Sequence, residues 1–381
     1  MYRYDVLVVG AGLTGAVIAE RLASERGLRV LVVDRRDHVG GNVYDEQDAH
    51  GIRVHRYGPH LFHTNAERVW RYLSRFTAWR PYEHHVLGRL GDGTTIPLPV
   101  NLDALRVLRP GPAGASLEQA LVGAYGDGAH VPILRLLEAT DPDVRGFAEE
   151  VYERVFLGYT TKHWGMRPEE LGPSVTGRVP IRLSRDARYF QDRYQAIPRA
   201  GYTAMLGRIL DHPNIRVATG TAYTDVPRPQ YDRLVYTGPL DAFFDYAYGA
   251  LPYRSLRFVF EHHERGLRQA VAQINHPDAP GFTRVTEYRH VTGQRHEGTT
   301  LSREFPEAHV PGLNEPYYPV PIESARTLYR RYAALAIREA PDTLFAGRLA
   351  DYKYYNMDQA VARALAATRR DPLPYRADPS S

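Results

Sequence analysis

Gly10-Ala11-Gly12-Leu13-Thr14-Gly15 is a GxGxxG run, and Asp34 follows about twenty residues further on. A run of this kind works through its backbone. Gly10 permits a tight turn, Gly12 lets a pyrophosphate approach the main chain, and Gly15 lets a helix pack on its strand. The free N–H groups of that helix's first turn face the phosphate charge. A carboxylate placed like Asp34 accepts hydrogen bonds from ribose hydroxyls. The flanking pattern meets the structural condition: Tyr4 to Val9 reads as a buried strand, Leu13 to Glu25 as a helix, and Arg29 to Val33 as a second strand. Other chemistries are excluded or disfavoured. The chain has no cysteine, which removes disulfides, thiolate catalysis and cysteine-ligated metals, and its 16 histidines form no HExxH or HxH pair, so no metal site is expected.

Asp34-Arg35-Arg36-Asp37-His38-Val39-Gly40-Gly41-Asn42 resembles the extended signature of glutathione-reductase-type flavoproteins: an acid, a basic stretch, then a glycine pair where backbone approaches the cofactor. Phe345-Ala346-Gly347-Arg348, ahead of a helix starting near Met357, is similar to the late element that returns to the flavin in such folds. FAD rather than NAD is therefore expected. Its contacts are placed at Gly10, Gly12, Gly15, Asp34, Arg35, Gly41, Asn42, Gly58, Gly347, Arg348 and Met357. No second GxGxxG stands in a βαβ context, so a separate NAD(P)H domain is not expected.

Longer stretches resemble the bacterial UDP-galactopyranose mutases over nearly the whole chain. They include HVGGNVYDE (38–46), HRYGPHLFHTN (55–65), GYTTKHWG (158–165), RVPIR with DARYFQDRYQAIPRAGYT (178–203), YTGPLDAFFDY (236–246), LPYRSLRF (251–258), EPYYPVP (315–321) and GRLADYKYYNMDQ (347–359). The resemblance implies an isomerase that interconverts UDP-galactopyranose and UDP-galactofuranose, a step of galactofuranose biosynthesis. Reduced FAD acts as a nucleophile through N5, forms a flavin–sugar adduct, and shows no net redox change. NAD(P)H is the expected activating reductant.

The resemblance also distributes roles. Arg178 and Arg284 match a pair that holds the departing diphosphate, a task suited to a planar guanidinium that stays charged. Arg182 is read as a less certain, structural member of that region. Tyr189, Tyr318 and Tyr354 match phenols that bond phosphate oxygens, with Asn356 near them. Tyr159 matches a stacking partner of the nucleobase, Trp164 a contact on the substrate face, and Phe156 and Asn275 further base contacts. His60 matches a histidine beside the flavin, and Glu304 a carboxylate facing the ribose or the sugar. Two residues depart from the family pattern: His163, where glutamine is usual, and His276, where Phe or Tyr is common. They open a GDP-linked hexose as an alternative substrate.

These residues need a scaffold. The pattern predicts an α/β fold: a Rossmann-like FAD-binding domain with an inserted helical subdomain and an antiparallel β-sheet subdomain. Residues 1–84, 200–248 and 340–371 are assigned to the FAD-binding domain and 100–168 to the helical part. The sheet takes 85–99, 176–199 and 250–325, and 372–381 forms a loose tail. Helices are expected at Leu117–Tyr125, Ile133–Glu138, Val144–Phe156, Ala325–Glu339 and Met357–Arg369. A hairpin is expected around Gly91-Asp92-Gly93, and strands at Ala270–Ile274 and Thr283–His290.

The formal net charge of +4 is too small for a nucleic-acid binder recognised by charge, but it suits a few arginines gathered around an anionic small molecule. No apolar run is long enough to span a bilayer. The apolar start is read as a first strand and not a signal peptide, so the cytoplasm is the expected compartment. A homodimer or higher oligomer is expected. Two rivals stand beside the mutase reading: an FAD-dependent oxidase on the same cofactor fold, and a flavin or nucleotide-sugar binding protein without activity.

Overall fold

The computed structural model describes residues 3–171 and 180–369. Strands Tyr4–Val9 and Val30–Asp34 flank the helix Leu13–Arg26 and lie inside a five-stranded sheet. Its order is Ile215–Thr219, Val30–Asp34, Tyr4–Val9, Tyr231–Tyr236, Thr343–Phe345, with every pair parallel. Both faces are covered. On one, Val6, Val8, Val30 and Val32 pack against Val17 and Ile18 of the first helix, Met205 and Leu206 of Tyr202–Leu210, and Val361 and Ala364 of Met357–Ala367. On the other, Leu7, Leu31, Val33 and Leu234 meet Val226, with Tyr223 and Phe243 packed against them. Burial on two sides explains why these strands read as unbroken apolar runs instead of alternating ones.

A second sheet has seven strands in the order Tyr318–Pro319, Tyr253–His263, Thr299–Ala308, Arg284–Glu287, Gln273–Asn275, Val86–Arg89, Thr95–Leu98. It is not purely antiparallel as expected: Gln273–Asn275 runs parallel to Val86–Arg89, because the hairpin that contains Val86 joins the sheet's edge from far upstream in the chain. The assignment of 176–199 to this sheet also needs correction. Tyr194–Pro198 pairs with Phe62–Thr64 and Trp79–Pro81 in a separate three-stranded sheet. The strand expected over Thr283–His290 stops at Glu287, where Tyr288–Thr292 turns into a short helix closed by Gly293 at φ 68°. Tyr288 is fully buried there, with its hydroxyl donating to the His55 carbonyl at 3.0 Å. The 270–274 strand occupies Gln273–Asn275 instead.

Helices fill the 102–164 region and share one core built on Leu105, Leu121, Leu136, Phe147 and Val151. Pro142–Val151 begins on Asp141, whose carboxylate accepts from Asp143 N at 2.9 Å and Val144 N at 3.3 Å, with proline in the first turn. The expected stop at Phe156 is passed. A π turn over Tyr152–Leu157 leads directly into Gly158–Trp164. Such a turn inserts a residue into the helical repeat and re-aims the side chains beyond it. The expected tail at 372–381 lies outside the described residues.

Candidate active site

The N-terminal glycine loop is built from close backbone approaches. A Cβ on Gly15 would sit 1.9 Å from the Gly10 carbonyl oxygen, and Gly10 itself has φ +106°. Gly12 bridges to Gly40, and a Cβ on Gly41 would lie 2.9 Å from the Gly12 Cα. The glycine pair therefore packs backbone on backbone against the first loop. The helix Leu13–Arg26 starts from Gly12 with no side-chain cap and no acidic residue in its first turn, which leaves its N–H groups to an incoming anion. Asp34 is pinned at the strand end: its carboxylate accepts from Ala11 N at 2.8 Å and Arg36 N at 3.0 Å. Asn42 accepts from Arg36 at 3.0 Å. These features fit a dinucleotide. Arg35 is exposed and paired with Glu315 at 2.6 Å, an ion pair that Arg36 shares at 2.8 Å.

Gly347 connects this loop to a large cleft. It has φ +113°, and a Cβ there would meet Thr14 at 3.2 Å. Asp351 holds the turn after it, accepting from Gly347 N at 3.1 Å, Tyr355 Oη at 3.1 Å and Arg363 Nε at 3.0 Å. The next residue, Arg348, lines a cleft of about 1160 Å³. The cleft gathers Gly58 and His60 from the N-terminal part, Phe156, Tyr159 and Trp164 from the helical part, Asn275, Arg284 and Tyr318 from the sheet, and Tyr354, Asn356 and Met357 from the C-terminal part, with Tyr189 beside them. Glu304 does not line it. Arg178 lies outside the described residues.

Arg284 and Glu304 stand directly opposite each other on adjacent antiparallel strands. Arg284 donates to Glu304 Oε2 from Nε at 2.8 Å and from Nη2 at 2.6 Å. Thr283 Oγ1 donates to Oε1 at 3.2 Å. Glu304 is 1% exposed. The carboxylate expected at the ribose or sugar is thus buried behind the arginine. Burial alone would pull the Arg284 guanidinium down, but the Glu304 charge and hydrogen bond outweigh it and hold it well above its ordinary value. The guanidinium stays charged and fixed, with Nη1 outside that pairing.

Around it stands an aromatic cluster. Tyr318 and Tyr354 stack at 4.9 Å between centroids and 8° between planes, and Trp164 lies 6.5 Å and 6.4 Å from them. Arg348 sits over both tyrosines at 5.4 Å and 5.6 Å, tied to the Tyr355 carbonyl by Nε at 3.1 Å and Nη2 at 2.5 Å. His163 stacks with Tyr159 at 6.0 Å and approaches Glu304 at 4.0 Å. Burial pushes the Tyr159 and Tyr318 phenols up, so they stay protonated donors.

His60 Nδ1 lies 2.7 Å from the Gly58 carbonyl. A carbonyl only accepts, so Nδ1 carries the proton and Nε2 is left with a lone pair. Burial first, then the neighbouring His55 and Arg348, hold His60 down to about 3, so the ring is neutral. The backbone N–H of His60 donates to His55 Nδ1 at 2.9 Å. Asn275 has a fixed amide orientation: Gln273 Nε2 donates to its Oδ1 at 2.8 Å, which leaves the Asn275 amide N–H groups to donate. Arg182 holds backbone, donating to the carbonyls of Arg188 and, at 2.7 Å, Tyr189. It positions Tyr189 and matches its structural reading. Asn356 precedes the final helix and receives the Gln359 side chain on its N–H at 2.9 Å. Gln273, Lys162 and Arg254 were not singled out from sequence. Their partners are backbone atoms or a neighbour's amide, and no motif spacing marks such bonds.

A glycine-loop parallel sheet with a wide cleft of arginines, phenols and histidines, the neutral His60 among them, defines a dinucleotide-binding α/β protein that holds a second, polar ligand space beside the dinucleotide loop. Residues 8–76 match the NAD(P)-binding Rossmann-like domain, and residues 154–354 match UDP-galactopyranose mutase. The chain is 38% identical to a probable UDP-galactopyranose mutase from Klebsiella pneumoniae over 96% of this chain and 94% of that protein. It is 35% identical to a dTDP-fucopyranose mutase from Escherichia coli over 94% of this chain and 96% of that one. A crystal structure of reduced UDP-galactopyranose mutase shares the fold with TM-score 0.72 at 16% identity, covering 97% of this chain and 93% of the other. The chain belongs to the UDP-galactopyranose mutase family and is an isomerase of that kind. No helix among the described residues is long and apolar enough to cross a membrane.

Proposed function

We propose that this protein binds FAD and contracts the hexose ring of UDP-galactopyranose to the furanose form, reversibly. The observation that carries the reading is Arg284, held charged at the cleft by buried Glu304 and ringed by phenols that donate without adding charge. This arrangement suits a diphosphate that must leave the anomeric carbon, wait, and return. FAD, when bound and reduced, supplies the nucleophile for that carbon. The chain's own residues do the remainder. Arg284, with Arg178 as its expected partner, retains the departing dianion. Tyr189, Tyr318 and Tyr354 donate to its oxygens, with Asn356 near them. Neutral His60 offers its Nε2 lone pair to a proton on the cofactor's edge. Trp164 packs on the substrate face. Tyr159 and Phe156 take the base, and Asn275 donates its amide N–H to a pyrimidine carbonyl. NAD(P)H is the proposed source of the activating electrons.

The relatives named above act on UDP- and dTDP-linked sugars, both pyrimidine nucleotides. The GDP-hexose alternative is not favoured and is dropped. The dTDP-6-deoxyhexose remains as a second substrate to test, on the strength of the Escherichia coli relative. The test is turnover of UDP-galactofuranose and dTDP-fucofuranose by dithionite-reduced protein, with product separated chromatographically. Pyranose product without oxygen uptake is expected. Oxygen consumed in proportion to substrate would return the reading to an oxidase, and binding without product would leave a non-catalytic binder.

A further inference from the structure

Lys162 lies on the same short helix as Tyr159 and Trp164, yet its ammonium is bonded to main-chain carbonyls and not to a carboxylate. It donates to three backbone carbonyls: His276 at 2.6 Å, Ala279 at 2.8 Å and Phe282 at 2.9 Å. An ammonium has three protons, and all three are spent. A lysine engaged in this way is not a phosphate ligand. The loop it grips runs from Asn275, at the end of its strand, to Arg284, at the start of the next. Two further contacts seat that loop. Gly158, at the start of the Lys162 helix, lies so close that a Cβ there would be 2.7 Å from the Pro277 carbonyl oxygen. Asp278 accepts from Gly91 N at 2.7 Å. On its far side the helix is closed by Arg254, whose Nε donates to the His163 carbonyl at 2.8 Å and whose Nη2 reaches the Lys162 carbonyl at 3.3 Å.

We propose that Lys162 is a positioning residue that locks the 276–282 loop, and through it Asn275, onto the helix carrying Tyr159, so that the nucleobase end of the cleft forms one preorganised unit. The inference rests on the pyrimidine nucleotide-sugar reading above. Three carbonyl dipoles converge on one point there. Without a cation they repel one another and lose their donor, so the loop must open. Asn275 is the residue next to that loop, and the donor it offers to a base carbonyl moves with it. Burial, opposed by Asp278, lowers Lys162 to about 8, still charged near neutral pH.

The test compares wild type with Lys162→Met as FAD-loaded full-length proteins. UDP binding is measured by titration calorimetry, and steady-state kinetics are run on the nucleotide sugar. UDP affinity is expected to fall about tenfold or more, with KM rising in parallel, kcat within about threefold and the flavin spectrum unchanged. The chain contains no cysteine, so Lys162→Cys alkylated with bromoethylamine rebuilds an ammonium at this site alone. It is expected to recover UDP affinity to within about threefold of wild type. Should Lys162→Met not retain flavin, the Lys162→Cys protein before and after alkylation supplies the same comparison. Unchanged UDP affinity in the variant, or no recovery after alkylation, overturns the proposal. Failure of the wild-type protein to bind either UDP or dTDP would instead overturn the pyrimidine-nucleotide reading on which it stands.

Discussion

Replacing Arg284 by Met removes the partner of a carboxylate that has almost no access to water. Glu304 is 1% exposed and takes two charged N–H bonds from Arg284, at 2.8 Å and 2.6 Å, plus one hydroxyl bond from Thr283 at 3.2 Å. After Arg284→Met the Thr283 hydroxyl is the one side-chain hydrogen bond left to it among the described residues, with His163 standing off at 4.0 Å. Stranding one member of a buried pair costs about 3–5 kcal/mol. Adding Glu304→Gln removes the stranded charge and leaves an amide short of partners, a penalty of about 1–3 kcal/mol. The double variant is therefore expected to regain about 2 kcal/mol over Arg284→Met in urea denaturation monitored by circular dichroism. Turnover behaves differently. Both proteins lack the fixed guanidinium, and loss of one such electrostatic contact costs about 10²–10³ in rate. Both are expected to show that drop in kcat/KM, with flavin retained. A double variant no more stable than Arg284→Met would refute the view of Glu304 as the arginine's buried counter-ion. A double variant that recovers turnover along with stability would refute the clamp itself.

Gly15→Ala places a methyl where the Gly10 carbonyl oxygen stands, 1.9 Å away. It should yield protein with little bound flavin, measured by absorbance after gel filtration, whereas Gly123→Ala, at an exposed position of the helix Gly111–Tyr125 with nothing within 4 Å, should keep flavin and gain up to about 1 kcal/mol of stability. His55, His60 and His84 are each held down to about 3 by burial, with neighbouring cations adding to it. Below the unfolded value of about 6.5 the unfolded chain takes up protons that the folded chain refuses, so stability is full above that value and is lost as pH falls toward 3. Between these values the three histidines should add a slope of roughly 4 kcal/mol per pH unit in denaturant titrations, and His84→Gln should remove about a third of it. Tyr318→Phe keeps the stack on Tyr354 at 4.9 Å but deletes the hydroxyl, so kcat/KM should fall about tenfold with no change in melting temperature.

Much of the cofactor end was legible in sequence because its chemistry sits on contiguous residues. The turn at Gly10–Gly15, the helix that opens there and Asp34 at the next strand end lie within one βαβ unit, where spacing alone dictates proximity. The late Gly347-Arg348 element was legible for the same reason, as a glycine followed at fixed distance by a helix. The substrate end was recognisable only through long stretches of family resemblance. Nothing in the local pattern said that Arg284 would meet Glu304, which is set by the register of two antiparallel strands. The same holds for the π turn at Tyr152–Leu157 and for Gln273 orienting Asn275. The strand Tyr194–Pro198 pairs outside the sheet expected for it because a strand's own residues state that it pairs, not with which partner.

The amino-acid order by itself determined the dinucleotide loop, the alternation of strand and helix around it, and the absence of thiol chemistry, because dihedral preference, periodicity and composition are properties of neighbouring residues. Tertiary structure alone decided which arginine is braced, which nitrogen of His60 keeps its lone pair and which carbonyls Lys162 satisfies. Those outcomes depend on burial and on bonds between segments that meet only when the chain has folded.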